Sequence, residues 1–405
     1  MSLIVLKLKK YKTLFHFLVI CLLLMMFKSQ RLLFTWSLPV TLVAALGLVS
    51  CLGYILYDYQ KYRKTSASNL FISIIIILLY YYELFIISEL GLFSLFTTTV
   101  TVFVSIFLIL TDDNTKSLIL KYVLISTQVL VGISLLGWLL FLMGVPMPHY
   151  YSETDAYYSH TVYHLFVLNG LPDTQLIPRF AGFFLEPGHL GTMCCFLLHI
   201  GGYQLKKIGN VVLLLGVLLS LSLAAYGLLI GGFCLHAFFN KKNGLMHISL
   251  FVILVLVICG ISYTYKSGDN LLYKKIVERL IFEDGEMAGA NRTTDFFDTQ
   301  FERYVTTSKV WFGVGREAFN TKAATNLING CAGWKRYFFL RGYVGCMLLL
   351  VFWISYFYKF RSKAALSFFI MYVVANMIRD YPLKEYWLFI WILAIPTLTE
   401  LYKRK

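Results

Sequence analysis

The chain has 405 residues, of which 59% are apolar and 17% aromatic, and only 14% carry charge. Soluble domains carry about 25% charged residues, so an ordinary cytosolic globule is excluded. The formal balance of +15 sits in short basic clusters between long apolar runs, which argues for membrane topology and against a nucleic-acid partner.

The N-terminus, MSLIVLKLKKYK before an apolar run from Leu14 to Phe27, resembles a signal peptide. It lacks a small-residue cleavage site and further spans follow, so it reads as an uncleaved first helix. Apolar runs predict spans at 13–27, 33–57, 69–88, 92–110, 118–144, 187–204, 244–264, 337–358, 364–378 and 385–402. The stretch 210–239 is different, because lysine pairs flank both its ends, Lys206-Lys207 and Lys241-Lys242. One straight helix there would be about 45 Å long, against a hydrocarbon core of about 30 Å. Two short helices, 210–221 and 224–239, with a turn near Ser220-Leu221-Ser222, return both lysine pairs to one face.

The expected fold is therefore all-α and polytopic, with about 12 transmembrane segments and both termini cytoplasmic. In that topology the whole positive excess falls on the inner segments, as the positive-inside rule expects. Lys28 and Arg31 dissent, because their turn falls outside. The chain divides into N-terminal helices (1–144), a first outer loop (145–186), central helices (187–265, including the short pair), a second outer loop (266–336) and C-terminal helices (337–405). Both loops are read as helical. In the second, Leu272, Ile276 and Leu280, and then Phe297, Phe301 and Tyr304, follow the spacing of amphipathic helices. Cysteine suggests no disulfide framework, since Cys331 alone lies in a polar loop.

Three segments carry chemistry. The first runs from Arg179 through Gly182, Glu186, Pro187, Gly188 and His189 to Gly191. Pro187 suits a first helical position and Glu186 its cap. A helix N-terminus presents unpaired N–H groups to an anion such as diphosphate, and Arg179 adds a bidentate donor. The plainer reading is a helix cap and an interfacial arginine. The second comprises Arg292, Arg303 and the turn Gly313-Val314-Gly315-Arg316, whose glycines allow close backbone approach. Each of these arginines taken singly reads as a surface charge. The third is Arg341-Gly342 just inside a span, with Arg336 one turn earlier; an arginine at that depth marks a site by default unless it snorkels. Glu83 and Glu89 read as solvated outer-edge carboxylates. His160 and His164, spaced i and i+4, suit either a metal pair or an aromatic-rich surface helix with Tyr157, Tyr158 and Tyr163, the second being favoured.

At these residues the chain resembles the bacterial O-antigen polymerases of the Wzy type, within the polymerase and ligase superfamily. Arg179 to Gly191, Ser220 to Gly227, Arg292, Trp311 to Gly315, and Gly342 to Gly345 follow the family's motifs in order, over about residues 145–350. The resemblance implies a GT-C-like membrane glycosyltransferase of the bacterial inner membrane. It would join oligosaccharide repeat units carried on undecaprenyl diphosphate, at the periplasmic face, without a metal or other cofactor. Its partners would be lipid-linked donor and acceptor, membrane lipids and a chain-length regulator. Arg179 and Arg292 would hold diphosphate or glycan, with Glu186 beside them as catalytic residues; His189, Arg303, Arg316, Arg336 and Arg341 would bind substrate. Alternatives are an O-antigen ligase, disfavoured because no histidine follows His247, and a flippase, disfavoured by nearly uncharged spans and the lack of an internal repeat.

Overall fold

The computed structural model describes residues 3–57, 62, 65–88, 90–155, 158–169, 178–240, 244–246, 248–249, 260–261, 263–264, 273, 278, 282–283, 286–287, 293–320, 327–328, 331 and 333–403. The span read at 244–264, the helix read around Leu272 to Leu280, Glu89 and Arg292 fall wholly or largely outside them.

In chain order the elements are α1 (Leu3–Ser29), α2 (Val40–Tyr57), α3 (Ala67–Ile86), α4 (Leu92–Leu110), α5 (Asp113–Leu142), β1 (Tyr150–Asp155), β2 (Tyr158–Val162), β3 (Val167–Asn169), α6 (Pro187–Ile200), α7 (Ile208–Leu219), α8 (Leu223–Asn240), β4 (Phe282–Glu283), β5 (Glu286–Met287), α9 (Asp295–Val305), α10 (Trp334–Phe360), α11 (Lys363–Ile378) and α12 (Glu385–Lys403). The protein is mostly helical. Helices α2 to α5 and α10, with α1 from Lys12 onward, are long and apolar enough to cross a membrane.

Local chemistry explains the bounds. Asp112 caps α5 by accepting from the Thr115 N–H at 3.2 Å, and Ser362 caps α11 from the Ala365 N–H at 3.1 Å. Pro187 takes the first position of α6. The expected break after α7 is present: Ser220 ends that helix, and Leu221 takes a left-handed φ of 46° before α8 begins.

Helix α12 is apolar on every side, and it occupies the centre of the bundle. Tyr386 to Ile395 are fully buried. It packs against α1, α4, α5, α10 and α11. Pro396 within it has no N–H, so the Ile392 carbonyl lacks its helical donor. The Tyr356 hydroxyl of α10 donates to that carbonyl at 2.6 Å, which satisfies it inside the bundle.

The first long loop corrects the sequence expectation of a helical loop. Strands β1, β2 and β3 form an antiparallel sheet in chain order, with Tyr150 opposite Val162 and Thr161 opposite Leu168. The aromatic and β-branched residues at 158–162 suit a pleated surface better than a helix. His160 therefore lies on β2 and His164 in the following turn at φ 61°, so no shared helical face forms between them. The second loop does hold its amphipathic helix. Phe297 and Tyr304 of α9 are buried against Phe339 and Leu340, and Thr294 caps it.

Candidate functional site

The end of the bundle that carries both loops holds a cavity of about 410 Å³. Its wall includes Gln30 and Arg31 after α1, Glu186 and His189 at the start of α6, Arg336 and Arg341 of α10, and Asp380 and Lys384 between α11 and α12. Four cations thus face two carboxylates.

Several backbone ties place Glu186 and His189. The segment before α6 is pinned by Phe180 N–H to Leu219 O at 3.0 Å, Leu33 N–H to Phe183 O at 3.0 Å, and Val167 N–H to Gly182 O at 2.8 Å. His160 Nε2 donates to the Leu185 carbonyl at 3.2 Å, so the sheet also supports this corner. Glu186 occupies the cap position of α6, yet its side chain makes no cap hydrogen bond. Its carboxylate instead accepts from Arg379 Nη1 at 3.2 Å. His189 is 8% exposed, and neither ring nitrogen has a hydrogen-bond partner; Nε2 stands 3.7 Å from Glu186 Oε2.

Arg341 is held more firmly. Its Nε donates to Glu83 Oε2 at 2.5 Å, and its Nη2 donates to Glu83 Oε1, so the pair is bidentate. Its guanidinium lies 4.2 Å from the Tyr337 ring centroid. Nη1 is buried without a partner. This corrects the reading of Glu83 as a solvated edge carboxylate, since a sequence separation of 258 hid the pairing. Arg336 stands 3.6 Å from Asp380, and its Nε also lacks a hydrogen bond.

The direction of Arg341 depends on a helix interruption. Gly342 sits at φ 62° and ψ −167° inside α10. The second loop fills the break: Val314 N–H donates to Phe339 O at 2.9 Å, and Val344 N–H donates to Trp311 O at 3.0 Å. The Tyr82 hydroxyl lies 2.9 Å from the Phe312 carbonyl and 2.7 Å from the Arg341 carbonyl. The Gly313-Val-Gly315 turn thus serves as the docking surface for α10.

The other expected site residues go elsewhere. Arg179 does not line the cavity; its Nε donates to Ser220 O at 3.0 Å, at the C-terminal end of α7, where a cation complements the helix dipole. Arg316 donates to the Ser88 carbonyl and ties the second loop to the end of α3. Arg303 is exposed on α9. The residues missed in the sequence are Gln30, Arg31, Asp380 and Lys384. Only Arg31 left a signal, as an outer cation against the positive-inside rule.

Lys384 carries a testable electrostatic property. Burial pulls its ammonium down to about 8; Asp380 and Glu385 oppose this, while Arg31 and Arg336 add to it. The ammonium also lies 3.7 Å from the Tyr381 ring centroid. A lowered lysine value means a cation below pH 8 and a neutral amine above. Affinity of the cavity for an anion should therefore start to fall as pH rises through about 8. Inorganic diphosphate binding measured from pH 6.5 to 9.5 checks this, and Lys384→Arg should remove the step.

Comparison with protein-family models, with curated proteins and with solved structures gives no match. The functional reading therefore rests on the residues and their geometry.

Proposed function

We propose that the chain is a membrane glycosyltransferase that polymerises lipid-diphosphate-linked oligosaccharide units into O-antigen or a related surface polysaccharide. In this reading about 12 segments span the inner membrane in a GT-C-like arrangement, and the cavity opens to the periplasm. The observation that carries the proposal is the cavity itself. It gathers Arg31, Arg336, Arg341 and Lys384 at one end of an apolar bundle, with Arg341 Nη1 and both His189 nitrogens buried and unpartnered beside it.

The reaction asks for these features. The acceptor hydroxyl oxygen bonds to the anomeric carbon of the donor sugar. The bond from that carbon to the diphosphate oxygen breaks, and its electron pair leaves on the diphosphate. Arg336 and Arg341 stand ready to hold that growing charge, and preorganised donors of this kind stabilise it without reorganisation. His189, buried between the charges of Arg379 and Lys384, accepts a hydrogen bond from the hydroxyl and orients it, and the proton passes to solvent as the new bond forms, while Glu186 is engaged by Arg379. Arg179 braces the α7–α8 break behind this corner, and Arg303 and Arg316 belong to the loop that docks on α10.

Deleting the gene in its source bacterium tests the proposal. The expected product is lipid A core bearing a single repeat unit in place of a ladder. An unchanged ladder would overturn the reading, and long chains accumulating on carrier lipid would point to a ligase instead.

A further inference from the structure

Arg336 and Arg341 of α10 are two of the cations that line the cavity. A second set of donors lines the same cavity from the end of α1 and the α11–α12 link. Gln30 is 3% exposed, lines the cavity, and its Nε2 has no hydrogen-bond partner. Arg31 follows it, held at a left-handed φ of 50° that an L side chain rarely adopts. Lys384 completes the set from the α11–α12 link.

The chain builds this corner deliberately. Lys28 is used within the turn, donating to the Thr35 carbonyl at 2.8 Å and the Trp36 carbonyl at 3.3 Å. Trp36 Nε1 donates to the Arg31 carbonyl at 2.7 Å and fixes the strained residue. The Tyr386 N–H donates to Ser29 Oγ at 3.0 Å, which joins the end of α1 to the start of α12 and sets Arg31 beside Lys384. The Arg31 charge opposes the Lys384 ammonium, against the Asp380 and Glu385 carboxylates that favour it, and the buried Gln30 amide donor without an acceptor costs free energy. An anion between them would relieve both.

We propose that Gln30, Arg31 and Lys384 form a second anion subsite, which takes the diphosphate of the second lipid-linked substrate. This rests on the polymerase reading, in which donor and acceptor both carry a lipid diphosphate. Arg336 and Arg341 hold the diphosphate that leaves; the second subsite holds the one that stays on the product.

Farnesyl diphosphate is the probe, titrated calorimetrically into the full-length protein in detergent micelles at pH 7. Two equivalents should bind. The double variant Arg31→Gln with Lys384→Gln should bind one, and Arg31→Lys with Lys384→Arg should bind two. Gln30→Leu should weaken the second equivalent about ten- to a hundredfold, the value of a hydrogen bond to a charged group. Intrinsic tryptophan fluorescence on heating reports whether each variant is folded, and the charge-preserving pair keeps the test decisive if the neutral pair is not. One equivalent in the native chain, unchanged by Arg31→Gln with Lys384→Gln, would overturn the subsite and leave the polymerase reading standing. No binding to the native chain would overturn both. Inorganic diphosphate displacing the second equivalent at equal concentration would show a general phosphate site and overturn its assignment to a lipid-linked substrate.

Discussion

Arg341→Ala is expected to abolish polymer formation and to destabilise the protein together. The guanidinium is bound bidentately by Glu83 across two helices and lies against Tyr337. Removing it leaves the half-buried Glu83 carboxylate without its cation, a loss toward the lower end of the roughly 3–5 kcal/mol of a fully buried pair. It also removes the free Nη1 donor from the cavity, and losing one preorganised donor to a developing charge lowers turnover about a hundred- to a thousandfold. The two losses separate in a second variant. Replacing both partners by apolar residues of similar size, Glu83→Leu with Arg341→Met, leaves no orphaned charge, and such exchanges are near neutral for stability. That double variant should unfold near the native temperature in a thermal melt yet still give single repeat units on the gel. If it restores the ladder, Arg341 serves only the fold, and the catalytic reading of the cavity fails.

The helices were legible because each rests on information local to the chain. An apolar run sets the length, and a cap such as Asp112, Ser362 or Pro187 sets the start. The α7–α8 break was legible for a different reason. The lysine pairs at 206–207 and 241–242 and the bilayer thickness together leave no room for one straight helix. The sheet at 150–169 was hidden because its residues, Tyr, His, Thr and Val, are common to strands and to aromatic surface helices, and no alternation marks one face. His160, Thr161 and Val162 are all buried, on both faces of the strand.

The cavity was half legible. Glu186, His189, Arg336 and Arg341 lie in recognisable motifs, and the fold brings them together. Lys384 reads in sequence as an ordinary lysine flanking a span, and Asp380 as a loop carboxylate. Their importance comes from packing beside residues some 350 positions away, as in the Tyr386 to Ser29 bond with a separation of 357. Arg179 shows the opposite case. Its motif pointed to an anion, whereas the geometry gives its Nε to a helix end. A motif records which residue is required, and only the packed structure shows what it touches.

Gly342→Ala should uncouple the second loop from the cavity. At φ 62° and ψ −167° the backbone is in a region almost confined to glycine, and a side chain there costs about 1–3 kcal/mol. The new methyl would also meet Gly313 N at 2.5 Å and the Trp311 carbonyl group at 2.6 Å. These are backbone atoms and cannot rotate away. The Val314 to Phe339 and Val344 to Trp311 bonds would have to break, and α10 would close its gap or kink differently. Arg341, the residue before the glycine, would then lose its aim. Proteolysis between residues 306 and 320 should accelerate, and polymer should disappear although Arg341 is intact. Gly227→Ala is the matched control. It lies on α8 with nothing within 4 Å of the added carbon, so a methyl there should be tolerated and should favour the helix. Loss of polymer in both variants would mean that any added methyl harms this bundle. Loss in Gly342→Ala alone, with faster cleavage of the second loop, would make the docked turn a condition of activity.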